Sequence, residues 1–369
     1  MTDRPGLNYR GIDWRAAGED SPHAATQERW VKRPVGSTWG DFGPDDQLGR
    51  LNLVTPERVR AAVSEVRAGK VFCLSLPLNY PGGKVLAPRR QPPILRPGMR
   101  NGQFNMNFPV RCEDPTATDI ACDDVLTMSL QYSTQWDSLA HIGQMFDADG
   151  DGIPEDVYYN GFRPGVDVVA PDETEAAPDS GMLGARRLGI ENMAASGVQG
   201  RGVLIDLYAH FGRSGRLVGF EELMMVLEKD KVVVEEGDFV CFRSGFDQLL
   251  LSMKGAPDRD VLFNTTSALD GRDPKLLQWV TDCGAVALIS DTYAVEAQPA
   301  TASESQCCSI LPLHEHCLFK LGVYLGELWF LSDLADWLRE QDRNRFLLTA
   351  PPLRLPGAVG SPVTPIATV

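Results

Sequence analysis

Histidine is scarce in this chain: there are five in 369 residues, at positions 23, 141, 210, 314 and 316. Any site built on imidazole has few members to draw on. Positive charge is also in deficit, with 35 Lys and Arg against 50 Asp and Glu and a formal net charge of −15. That balance excludes the basic footprint that non-specific nucleic-acid binding needs. No apolar run is long enough to cross a bilayer, so no membrane partner is expected. The opening Met1-Thr2-Asp3-Arg4-Pro5 lacks the charged-then-apolar order of a secretory signal. The expectation is a cytoplasmic enzyme acting on a small molecule. Paired metal-type cysteine spacing is missing too. The eight cysteines (73, 112, 122, 241, 283, 307, 308 and 317) form no CxxC pair and no zinc ribbon. Most lie in apolar runs such as Val240-Cys241-Phe242 and are expected as small core residues of a reduced compartment. A disulfide between the adjacent Cys307 and Cys308 would be strained.

What is present centres on Gln131-Tyr132-Ser133-Thr134-Gln135-Trp136-Asp137-Ser138-Leu139-Ala140-His141. It follows the strand-like run Asp124–Leu130. If the extended backbone continues, Gln131, Ser133, Gln135 and Asp137 share one face, because side chains two apart point the same way. His141 arrives near the strand's end. A row of oxygen donors closed by a lone imidazole suits a metal cradle beside a proton-transfer group. A solvated polar edge strand is the competing reading.

Along the chain, residues 1–35 are polar and irregular, an arm with Trp14 and Trp30 as anchors. Residues 36–369 form one composite domain, without internal repeat or low-complexity linker. Thr55-Pro56-Glu57 opens a helix through Val63, with Thr as cap and Pro at the first position. Val71–Leu78 reads as a buried strand. The Pro- and Gly-rich stretch 79–109 reads as a long loop, of the kind that forms lids or subunit contacts. A second α/β half alternates strands (Gly202–Leu207, Asp238–Arg243, Ala285–Asp291, Gly322–Leu328) with helices (Gly219–Asp230, Pro274–Val280, Leu331–Glu340). Strand-end residues Asp206, Arg243, Ser244 and Asp291 lie where α/β folds build pockets. Glu327, in an apolar strand, needs a cation or hydrogen bonds if buried. Trp136 is either a pocket wall or a core residue, and His210 either borders the site or is structural. Asp147-Ala-Asp149-Gly-Asp151-Gly-Ile-Pro-Glu-Asp156 matches the first half of a calcium loop, with Asp at positions one, three and five and Gly at six. Position twelve is Tyr158, so the closing bidentate Glu is missing. The loop either binds Ca²⁺ or is a solvated acidic turn.

These residues resemble the metal-dependent cyclase-like hydrolase family, which includes bacterial kynurenine formamidase and isatin hydrolase. The family signature His-x-Gly-Thr-His-x-Asp-x-Pro-x-His aligns with Gln131–His141. Thr134, Asp137 and His141 match, while Gln131 and Gln135 stand where the family has histidines, Ser133 where it has Gly, and Leu139 where it has Pro. The segment from Trp39 to Glu57, Arg243-Ser244-Gly245, and the closing Ala-Pro-Pro-Leu-Arg-Leu with Gly360-Ser361-Pro362-Val363 are similar as well, so the likeness spans most of the chain.

The resemblance implies a composite α/β domain of the swivelling β/β/α type, with a mixed sheet or barrel-like core flanked by helices. It implies a hydrolase acting on carbon–nitrogen bonds other than peptide bonds, assembled as a homodimer or homotetramer. By position, His141 would be the acid/base, Asp137 a metal ligand, and His314 with Glu327 the distal metal pair; His316 competes with His314. Trp136, Ser133, Arg243 and His210 would contact substrate. The two glutamines leave three arrangements open. The family's metal is commonly Zn²⁺ or Mn²⁺; here Mn²⁺, Mg²⁺ or Ca²⁺ sits on Gln131, Gln135 and Asp137; or one metal shifts onto Asp137, His314 and Glu327; or no metal binds and the glutamines hold substrate. The alternatives to a hydrolase are a metal-free lyase or isomerase of the same fold, or a non-catalytic binder.

Overall fold

The computed structural model describes residues 29–170, 184–303, 305 and 308–369. The body is one nine-stranded mixed sheet with helices on its faces. Eleven strands concern the site: β1 (Val71–Cys73), β2 (Ile94–Pro97), β3 (Asp124–Thr127), β4 (Gln135–Asp137), β5 (Gln199–Asp206), β6 (Phe239–Arg243), β7 (Ala287–Ser290), β8 (Tyr324–Glu327), β9 (Arg345–Thr349), β10 (Gly360–Pro362) and β11 (Ile366–Thr368). The sheet order is β1-β11-β9-β5-β6-β7-β8-β4-β10. β5 to β8 run parallel; the flanking pairs are antiparallel.

The parallel centre explains the unbroken apolar runs of the second half. β6, β7 and β8 are buried along their whole length, as strands covered on both faces must be. Helix Phe220–Lys229 buries Leu223 and Val226, one turn apart, against β5 and against helix Pro274–Asp282. The latter starts where Asp273 caps the amides of Lys275 and Leu276 and Pro274 takes the first position. The mixed α/β single-domain architecture is the expected one.

Three local expectations are corrected. The run Asp124–Leu130 is not a central strand. β3 pairs only with β2, and all four of its residues are exposed; the chain then turns before β4 begins, so the proposed alternation does not reach back to Gln131. Val71–Leu78 contributes only the three-residue edge strand β1, with a single buried residue. Of the cysteines, Cys241 and Cys317 are core residues, but Cys73, Cys112, Cys122 and Cys308 are exposed; Cys307 lies outside the described residues.

Most of the expected arm, including Trp14 and His23, is likewise outside them. Its last stretch packs on the domain: Trp30 lies 6.2 Å from the Trp39 ring, and the amides of Val31 and Lys32 donate to the Ala148 carbonyl. Asn160 organises this corner from a left-handed backbone position, φ +54°. Its Oδ1 accepts from Gly40 N and Trp30 Nε1, and its Nδ2 donates to the carbonyls of Gly43, Pro44 and Asp46. Among the described residues no helix is long and apolar enough to cross a membrane.

Asn160→Asp is nearly isosteric but would aim a carboxylate oxygen at three carbonyls. We expect it to cost about 3 kcal/mol of stability, seen as a lowered urea midpoint; an unchanged midpoint would show that the amide does not hold this corner.

Candidate active site

β4 is the hub. It lies between β8 and β10, and its register sets Gln135 opposite Glu327 and Asp137 opposite Leu325 on one side. On the other side, Asp137 faces Gly360 and Gln135 faces Pro362. Two-residue periodicity places Gln135 and Asp137 on one face and Trp136 on the other. Two glycines make that arrangement fit. A Cβ on Gly326, opposite Trp136, would come within 3.1 Å of the Trp136 ring. A Cβ on Gly360, the register partner of Asp137, would come within 2.5 Å of Gln131 Nε2, so the missing side chain makes room for the Gln131 amide.

On the Asp137 face, fully buried side chains form a chain of contacts. Gln135 Nε2 donates to Glu327 Oε2 at 2.8 Å and to Asp137 Oδ1 at 3.3 Å. His314 Nε2 meets Glu327 Oε1 at 3.1 Å and stands 3.9 Å from Asp137 Oδ2. Glu296 holds the far side of that ring, with Oε1 2.8 Å from His314 Nδ1. The same carboxylate accepts the backbone amides of Leu313 and His314. His141 enters from the turn after β4, half-buried, with Nε2 3.8 Å from Asp137 Oδ1. Arg90 reaches in from the 79–109 loop: Nη1 donates to the Gln131 carbonyl at 2.6 Å, lies 4.0 Å from Glu327 Oε2, and the guanidinium sits 5.2 Å from the Tyr293 ring centre.

Burial drives the electrostatics. It pushes the Asp137 carboxyl above the usual carboxylate range, and Glu327 adds to the push, while His141, His314 and Arg90 oppose it. For His314 burial favours the neutral ring, but the hydrogen bonds and charges of Glu296 and Glu327 outweigh it and move its pKa up to about 10. His316, two residues on, bonds Thr281 Oγ1 at 2.9 Å and is pushed down to about 4, first by burial and then by Lys320. His314 is therefore the histidine of the cluster. It sits where the helical turn Pro312–His314 widens into a π-helix over Glu315–Leu321, a distortion frequent at functional sites.

Asp137, His314 and Glu327 offer ligand atoms all within 4.8 Å of one another. Two buried oxygens there, Asp137 Oδ2 and Gln135 Oε1, have no hydrogen-bond partner among the described residues. A carboxylate, an imidazole, a second carboxylate and an orphaned amide oxygen are a fitting donor set for a divalent cation.

Other expected site residues lie elsewhere. Trp136 is fully buried on the opposite face, donating to the Ala350 carbonyl and packed edge-on against Trp329 at 5.0 Å. It is core, because the strand's alternation turns it away from Asp137. Arg243 is committed to Asp206, Asp336 and Ser332 and lies over Tyr208, and His210 is paired with Asp230 at 2.9 Å. Neither is free for substrate. Ser133 is buried, with Oγ 3.4 Å from the Pro77 carbonyl. Asp147, Asp149 and Asp151 do gather within 4.8 Å, but Lys32 already pairs with Asp147, and one oxygen of each accepts from an amide of their own turn. Asp156 is exposed on the strand Glu155–Val157 and outside that group. Glu296 and Arg90 join the site with no motif in the sequence to mark them. The signal for Glu296 was an acidic residue in the apolar run Ala294–Ala297; for Arg90 it was an Arg pair inside a Pro-rich loop.

Without a bound cation, His314 should titrate near pH 10 in ¹⁵N NMR spectra of chelated protein, and Glu296→Gln should lower that value. The sign follows from a folded pKa above the free value of 6.5. The contribution of His314 to stability is full below about pH 6.5 and lost as pH rises through about 10. A His314 titration unmoved by Glu296→Gln would contradict the assignment.

Comparison with known proteins places this geometry. The cyclase family model matches residues 72–297. A crystal structure described as a novel cyclase is 31% identical, covering 90% of this chain and 99% of that one, with a TM-score of 0.68. Isatin hydrolase A from Labrenzia aggregata, bound to benzyl benzoate, shares the fold at 13% identity, with 84% and 98% coverage and a TM-score of 0.52. An isatin hydrolase bound to the product analogue thioisatinate shares it at 12% identity, with 85% and 99% coverage and a TM-score of 0.52. The comparison with curated proteins gives no match. The family match and the shared fold converge on one statement: this chain belongs to the cyclase family.

Proposed function

We propose that the chain is a hydrolase that opens the carbon–nitrogen bond of a small amide or lactam, or the ester bond of a related lactone, with water as the attacking group. The observation that carries this reading is the orphaned Asp137 Oδ2, buried beside His314 and Glu327. An unpaired buried carboxylate costs several kcal/mol, and a cation is the partner this donor set fits. Asp137, His314 and Glu327 would hold it, with Gln135 turning its amide so that Oε1 faces inward. Gln131, across the glycine gap at 360, is placed to assist. The neutral amides and carboxylates favour Mn²⁺ or Mg²⁺, and the imidazole also admits Zn²⁺. Such a cation supplies Lewis acidity to a water and to a carbonyl.

The protein's own groups do the rest. His141, the half-exposed imidazole of the cluster, takes the proton of the attacking water and delivers it to the departing nitrogen or oxygen. The water oxygen ends in the product carboxylate. Asp137 orients the His141 ring and favours the imidazolium that forms. The fold shared with isatin hydrolases supports a small cyclic substrate.

A second reading has one observation in its favour. The Gln135 amide already bridges Asp137 and Glu327, an arrangement suited to a metal-free lyase or isomerase, or to a binder without turnover.

Purified protein assayed on N-formyl amides, lactams and lactones in ¹⁸O water separates these. We expect label in the product, loss of turnover with chelator, and a fall in kcat of about 10²–10⁴ for His141→Ala with metal affinity retained. Full turnover by His141→Ala, or unlabelled product, would overturn the mechanism.

A further inference from the structure

Tyr293 and Phe263 meet at a tilt of 58°, ring centres 6.0 Å apart, between two arginines: Arg90 lies 5.2 Å from the centre of the Tyr293 ring and Arg259 lies 4.4 Å from that of Phe263. Among the described residues, neither arginine has a carboxylate at hydrogen-bond distance. Arg90 donates only to the Gln131 carbonyl, and its nearest acid, Glu327, is 4.0 Å away. Arg259 donates only to the Leu86 carbonyl, at 3.4 Å. Many of the chain's other arginines, by contrast, are paired to acids, among them Arg58, Arg100, Arg163, Arg201 and Arg345. The charges acting on the Tyr293 hydroxyl, after burial itself, are Arg90, Glu327, Arg259 and Arg89: three cations and one anion, in a chain of net charge −15. A cationic rim with open donors, set beside a buried acidic cluster in an acidic protein, is not explained by folding.

We propose that this rim is an anion subsite of the candidate active site, and that the substrate is the carboxylate form of an aromatic or heteroaromatic acid. Its ring lies along Tyr293 and Phe263, and its carboxylate takes the unused N–H donors of Arg90, with Arg259 and Arg89 supplying longer-range attraction. The inference rests on the hydrolase reading for what happens next, but the binding itself does not. Arg90 is suited to the role by geometry. Its planar fork can hold a carboxylate through two parallel bonds while its face rests on an aromatic ring. It faces the rim and stands 4.0 Å from Glu327, so a substrate seated on it lies beside the buried acidic cluster.

The test measures binding without turnover. Benzoate and its neutral isostere benzamide are titrated by calorimetry into the full chain equilibrated with Mn²⁺, as wild type, Arg90→Gln and Arg259→Gln. We expect wild type to favour benzoate at least tenfold. Arg90→Gln should lose about tenfold or more in benzoate affinity while benzamide binding is unchanged, and Arg259→Gln should lose a few-fold. Since Arg259 is exposed, that variant stays informative if Arg90→Gln does not fold. Equal affinity for the two probes, or benzoate binding by both variants at the wild-type level, would overturn the subsite. If benzoate binds as expected while the amides and lactones are not turned over, the subsite stands and the hydrolase reading falls.

Discussion

The pairing of β4 with β8 is the constraint on which the rest of the molecule depends. Its register sets Gln135 opposite Glu327 and brings two carboxylates, Asp137 and Glu327, into a region without solvent. Removing such charges from water costs several kcal/mol each even after relaxation. Everything placed around them reads as compensation: the Gln135 amide, the His314 ring, and Arg90 at the margin. That compensation leaves two buried oxygens of β4 without a partner among the described residues, Asp137 Oδ2 and Gln135 Oε1. The gap is informative because no other orphaned side-chain atom among the described residues lies in the nine-stranded sheet.

His314 connects the fold to the chemistry. Glu296 grips its Nδ1 and the amides before it, so Nε2 faces Glu327 and Asp137 rather than choosing among rotamers. This carboxylate–imidazole arrangement fixes which nitrogen is presented to a ligand. The widening of the helix at Glu315–Leu321 and its left-handed stop at Gly322 carry the chain directly into β8. The ring and Glu327 are thus positioned by one continuous segment.

Much of this was legible in the sequence, for physical reasons. The apolar runs of β5 to β8 are long because parallel central strands are buried on both faces, and the cap at Thr55 marks its helix plainly. Asp137, Glu327 and His141 stood out because ionisable groups in apolar strands need partners. What could not be read was set by contacts between segments distant in sequence. Glu296 and Arg90 join the site only through the folding of two loops. Trp136 was ambiguous until the strand's start was known, since moving the start of a three-residue strand by one position exchanges its faces. The Asp124–Leu130 run looked like a central strand because its local pattern is strand-like; its pairing with β2, away from the main sheet, is a tertiary fact. Arg243 and His210 are polar residues at or just beyond strand ends, as expected, but each is matched to an acid of its own and so belongs to the scaffold.

The central claim is that the Asp137–His314–Glu327 cluster holds a divalent cation and the acidic turn at Asp147–Asp151 does not. Anomalous diffraction from crystals grown with Mn²⁺ tests it most directly. The account predicts a peak among Asp137, His314 and Glu327, with the Gln135 carbonyl oxygen turned toward it, and none between Asp147 and Asp151. A peak only at the acidic turn, or no peak at the cluster under saturating Mn²⁺, would contradict it.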